Sequence, residues 1–233
     1  MKIGIYGDSY ADGCDLNSHT WASKLAELLG ADHIGYHARA GTPLYWSYQQ
    51  IVATGHQYDR IILTVTEPMR FPVAVGPNKL FVTGQQGCYQ FRAPLRDDLK
   101  SWFAISDIGY LDTVQELILR DLQQQFPNII LIPCFKTSFT GARLTAYGAF
   151  ALYQINQQMI VSLGMDPDQS KWNTKWTENP GVGKVLCHIP WEWQHTLAVF
   201  LHRSIELNRP PVAPKLMNLK IKHTAMEHYY KRI

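Results

Sequence analysis

Residues 60–66 read Arg-Ile-Ile-Leu-Thr-Val-Thr. After Arg60 the run is continuously apolar and β-branched. A strand of that kind is buried on both faces, as in the middle of a parallel sheet with helices above and below it. Working outward, Asn-Ile-Ile-Leu-Ile-Pro at 128–133 repeats the pattern, and Lys-Ile-Gly-Ile-Tyr at 2–6 and His33–Tyr36 supply two shorter strands. Helical spacing fills the intervals: Thr20 to Leu29, closed by Gly30; a segment near Tyr45–Thr54; and about Leu111–Gln125. Further on, Ala146–Leu163 reads as a helix, Lys184–Cys187 as a short strand, and Trp191–Glu206 as a helix opened by Pro190. Strands alternating with helices predict an α/β domain built on a parallel sheet.

Two stretches interrupt this alternation. Phe71 to Asp107 has no helical period, and Gly-Pro-Asn-Lys-Leu-Phe-Val-Thr-Gly-Gln-Gln-Gly-Cys-Tyr-Gln-Phe within it predicts a hairpin inserted after the central strand. Such an insertion hangs over the C-terminal edge of the sheet, where open α/β folds bind ligands. Arg-Pro-Pro-Val-Ala-Pro at 209–214 is a stiff extended linker. The expected organisation is therefore one domain over 1–206, carrying the 71–107 insertion, and a Pro-rich linker and basic tail over 207–233.

The chain has 233 residues, 46% hydrophobic and 18% charged, which suits one globular domain with a substantial core. No run approaches the ~20 apolar residues of a membrane span, and the N-terminus enters a strand pattern without a signal-peptide core. The expected location is cytoplasmic. Cys14, Cys88, Cys134 and Cys187 form no CxxC pair and read as free thiols. From Arg209 onward the charge is +5 against a total of +3, so the basic character belongs to the tail. That disfavours a nucleic-acid face on the domain and leaves the tail as a surface for a protein partner or self-association.

Ser9, in Gly7-Asp8-Ser9, directly follows the first strand. A hydroxyl there stands at the C-terminal edge of the sheet, where backbone N–H groups of a strand-to-helix turn can hold an oxyanion. Gly, Asp and Ser are also ordinary turn residues. Gly4 and Gly7 do not make a dinucleotide fingerprint, because GxGxxG is absent. His188, His195 and His202 recur every seven residues, and ligands two turns apart on a helix do not converge on one ion. No metal or other cofactor is expected. Arg70, close after Glu67, reads either as an ion-pair partner or as a contact for an anionic substrate group.

Over most of residues 1–206 the chain resembles the SGNH (GDSL-type) hydrolase family. Gly7-Asp8-Ser9 matches the family's nucleophile block, Gly41 in Ala-Arg-Ala-Gly-Thr-Pro the glycine that supplies an oxyanion N–H, and His188, just before the last helix, the base. The resemblance implies a three-layer α/β/α, flavodoxin-like fold around a central parallel sheet of about five strands. It also implies ester hydrolysis by Ser9 and His188, with Ser9, Gly41 and Thr66 around the oxyanion and Asp8, Tyr10, Glu67 and Arg70 toward the substrate. Expected substrates are small-molecule or glycan esters, acyl esters of carbohydrates or lipids, with acetyl esters the narrower choice. Phe81, Tyr89 and Phe91 of the insertion would offer an apolar or sugar-stacking surface.

Two positions depart from the family pattern. Thr66 stands where an oxyanion-hole asparagine is expected, and Val185 stands where an aspartate precedes the histidine by three residues. Glu192 with His195 satisfies that spacing and forms an alternative pair. Glu178, Asp168 and Asp166 are other candidate carboxylates. These departures carry a second expectation, a catalytically weak or silent module of the same fold, with a loose resemblance to phage-encoded proteins and hence to a virion component.

Overall fold

A computed structural model describes residues 1–11, 20–39, 42–66, 68, 70–74, 80–83, 108–134, 152 and 191–207. Its strands are β1 (Lys2–Tyr6), β2 (His33–Tyr36), β3 (Arg60–Val65), β4 (Phe71–Ala74), β5 (Leu80–Thr83) and β6 (Ile129–Pro133). Its helices are α1 (Trp21–Leu28), α2 (Leu44–Thr54), α3 (Ile108–Gln125) and α4 (Trp191–Glu206). β1, β2, β3 and β6 form a parallel sheet in the order β2-β1-β3-β6. The α/β class and the parallel sheet expected from the sequence are therefore present, with β3 internal as its unbroken apolar run requires. Lys184–Cys187 and most of Ala146–Leu163 lie outside the described residues, as do Cys14, Cys88, Cys187 and the tail. Cys134 is free and buried.

Strand geometry divides the core. Successive side chains point to opposite faces, so Ile3 and Ile5, with Ile62, Ile130 and Ile132, pack beneath α1 and α4. Tyr6, Ile61, Leu63, Val65 and Leu131 pack on the other face against Leu44 and Ile51 of α2 and Leu119 and Leu122 of α3. α1 begins where Thr20 Oγ1 accepts from the Ser23 N–H at 3.2 Å, an N-cap satisfying one unpaired donor of the first turn. It ends at Gly30, whose φ of +85° suits the left-handed residue after a helix. No helix among the described residues is long and apolar enough to cross a membrane.

The topology determines where a site can form. From β1 the chain crosses one face through α1 to reach β2. It then crosses the opposite face through α2 to reach β3 on the far side of β1. The winding thus reverses between β1 and β3, the kind of place at which open α/β folds bind ligands. Ser9 follows one of those strands and Thr66 the other. Beyond β3, β4 and β5 pair antiparallel from Phe71↔Thr83 to Ala74↔Leu80, so the hairpin begins directly after Arg70.

Candidate functional site

The turn after β1 is sterically specified. Gly7 has φ +133°, and a Cβ at that position would lie 1.8 Å from Thr64 Oγ1. Only glycine allows the β1 loop to press this closely against β3. The Gly7 carbonyl accepts from the Arg39 N–H at 3.0 Å and from the Thr42 hydroxyl at 3.2 Å, tying the turn to the loop after β2. Gly41 lies outside the described residues, and the residues that grip Gly7 are its sequence neighbours on either side.

Asp8 is 1% exposed, and its carboxylate is surrounded by donors. Oδ1 accepts from the Tyr10 N–H at 3.1 Å, which closes an Asx turn around Ser9. The Thr64 hydroxyl and the Cys134 thiol also donate to Oδ1, each at 3.4 Å. Arg70 Nη1 pairs with Oδ2 at 3.1 Å. Burial, then the neighbouring Asp8 charge, pushes the Cys134 thiol well above its ordinary range. Cys134 is therefore a protonated donor to Asp8 rather than a thiolate nucleophile.

These contacts assign different tasks to the expected site residues. Ser9 is half-buried at the mouth of the turn. Tyr10 is 7% exposed and belongs to the core beneath α1, where its carbonyl accepts from Trp21 Nε1 at 2.8 Å. Asp8 and Tyr10, expected to face substrate, instead build the turn that carries Ser9. Arg70, with its side chain 17% exposed, serves as an ion-pair partner and links the start of the hairpin to that turn. Glu67 and His188 lie outside the described residues, as does the Glu192 side chain.

α4 is aligned with the same edge. Gln194 Oε1 accepts from the Trp21 N–H at 2.5 Å, so the first turn of α4 is bound to the first turn of α1. His195 is exposed on α4, and His202 lies one helical turn from Glu206, with Nε2 3.5 Å from its carboxylate.

Thr66, at the end of β3, is 2% exposed, yet its Oγ1 has no hydrogen-bond partner among the described residues. Leaving a buried hydroxyl unpaired costs about 1–3 kcal/mol. The Thr66 carbonyl is held, however, by Gln115 Nε2 of α3 at 2.6 Å. Gln115 is 3% exposed and shares a helix stripe with Leu119 and Leu122. Its signal in the sequence is a polar residue at position i of a stripe whose i+4 and i+7 positions, Leu119 and Leu122, are apolar.

No protein-family model matches the chain, and no curated protein matches it significantly.

Proposed function

We propose that the chain is a serine ester hydrolase of the SGNH (GDSL) type. In this reading the domain is a flavodoxin-like three-layer fold, with Lys184–Cys187 adding a fifth strand to the four described. One observation carries it. Ser9 stands half-buried just past β1, at the winding reversal between β1 and β3, on a turn clamped by Asp8 and glycine-dependent at Gly7, and the Thr66 hydroxyl just past β3 has no partner among the described residues. A hydroxyl on a clamped turn and a second hydroxyl past the adjoining strand, unpartnered among the described residues, at a winding reversal suit acyl transfer.

Ser9 Oγ attacks the ester carbonyl while His188 takes its proton. Collapse of the tetrahedral intermediate releases the alcohol, protonated by His188, and water then cleaves the acyl-enzyme by the same route. The N–H groups of Ser9 and Gly41, with the Thr66 hydroxyl, receive the oxyanion. His195 with Glu192 is the alternative base pair. Acyl esters of carbohydrates or lipids, acetyl esters first, enter beneath the 71–107 segment, and the chemistry needs no cofactor.

The test is labelling with a fluorophosphonate probe, together with p-nitrophenyl acetate turnover by wild type and Ser9→Ala. Stoichiometric labelling that disappears in Ser9→Ala supports the hydrolase. A second reading, a silent binding module, is favoured by Val185 at the place of the expected acid. It requires a folded wild type that neither labels nor turns over.

A further inference from the structure

The two buried side-chain atoms without a partner among the described residues are Thr66 Oγ1 and Gln115 Oε1. They belong to residues that already meet, through the Gln115 Nε2 donor and the Thr66 backbone carbonyl. The peptide on the other side of Thr66 is held as well, because the Cys134 N–H donates to the Val65 carbonyl at 2.8 Å. With both flanking carbonyls fixed, the backbone torsions of Thr66 and the direction of its Cα–Cβ bond are fixed too. Threonine is stiff at χ1 because Cβ is branched. The remaining freedom is rotation of the hydroxyl hydrogen.

The oxygen of such a donor is in place before any ligand arrives. Preorganisation of this kind makes a hydrogen bond effective toward charge that develops during a reaction, because the donor atom does not have to be brought into position at that moment and only its O–H bond turns. Gln115 has no covalent or sequence connection to the Ser9 turn, and its described bond is the one to the Thr66 carbonyl. We infer that Gln115 is a positioning residue: from α3 it clamps the end of β3 and aims the Thr66 hydroxyl at the oxyanion. A threonine reaches less far than the asparagine of the resemblance, and the clamp compensates by removing its freedom. This inference rests on the hydrolase reading above.

The experiment is steady-state hydrolysis of p-nitrophenyl acetate by wild type, Ser9→Ala, Gln115→Met, Thr66→Val and the Gln115→Met/Thr66→Val double variant. Thermal melting of each is followed by circular dichroism. Gln115→Met keeps the length of the side chain and removes the donor. It is expected to lower kcat about 10- to 100-fold with KM within about twofold, the pattern of an interaction realised in the transition state. Because Gln115 acts through Thr66, the double variant should be no slower than Thr66→Val alone. A Gln115→Met kcat equal to wild type, or losses that multiply in the double variant, overturns the inference while leaving the hydrolase intact. Wild-type turnover equal to that of Ser9→Ala overturns the hydrolase and the inference together. Should Gln115→Met fail to fold, Gln115→Asn makes the same comparison, since its shorter arm releases the Thr66 carbonyl and must produce the same selective loss of kcat.

Discussion

Asp8 and Thr66 occupy adjoining loops at one edge of the sheet and are almost equally buried, at 1% and 2% exposure. Their hydrogen bonding is opposite. Asp8 is surrounded by a backbone N–H, a hydroxyl, a thiol and a guanidinium, whereas the Thr66 hydroxyl has no partner among the described residues. A buried group with every lone pair engaged stabilises its surroundings and has little left for a ligand. A buried group with none engaged reduces stability and keeps its capacity for whatever binds. The β1 loop therefore holds its shape through Asp8, whereas the end of β3 keeps a hydroxyl with no partner among the described residues.

The hardest blow to that contrast is Gly7→Ala. Its Cβ would collide with Thr64 Oγ1 in a backbone conformation that L-residues avoid. A loss of about 3–5 kcal/mol in denaturant unfolding is expected; a well-folded, fully stable variant would show that the turn is not locked. Next comes Asp8→Ala, which strands Arg70, Thr64 and Cys134 without their shared acceptor. It should cost about 3 kcal/mol, and the same unfolding curves measure it.

The comparison sharpens with a matched pair of strand threonines. Thr64→Val removes a hydroxyl engaged with Asp8 and should cost about 1–2 kcal/mol. Thr66→Val removes one with no partner among the described residues, so its stability should hold or rise while turnover in the proposed hydrolysis of p-nitrophenyl acetate falls. Equal destabilisation by the two would erase the distinction between the loops.

The smallest effect lies on the opposite face of the sheet. There His37 stacks on Tyr6, with centroids 4.7 Å apart, and its Nε2 meets the Tyr58 hydroxyl at 2.7 Å. Burial lowers the His37 pKa from its ordinary 6.5. The unfolded chain then binds the proton more readily than the folded one, so stability is full above pH 6.5 and declines as the pH falls below it. Melting temperatures at pH 7.5 and 5.5 should differ more for wild type than for His37→Gln. Burial also pushes the Tyr6 phenol up to about 12, so its contribution is lost only in strong alkali, as the pH rises past 10 toward that value.

Much of the framework was legible in the sequence because periodicity is a local property. β1 and α4 coincide with their expected bounds, and β3 ends one residue early at Val65. α3 starts at Ile108, ahead of the expected Leu111, because Ile108-Gly109-Tyr110 carries no apolar period of its own. The sequence places a hairpin within 76–91, whereas the described ribbon pairs 71–74 with 80–83. Pro72 argues against a strand from composition, whereas a two-stranded ribbon consists of edges that tolerate it.

The site was legible only in part. By itself the sequence determined the alternation of strands and helices, and with it the position of Ser9 past one strand and of Thr66 at the end of another. Tertiary structure alone decided which polar groups are engaged. The partners of Asp8 come from Thr64, Arg70 and Cys134, separated from it by 56, 62 and 126 residues, and Gln115 reaches Thr66 across 49. Hydrogen bonds act over about 3 Å, so no pattern along the chain could assign them until folding brought those residues to one edge of the sheet.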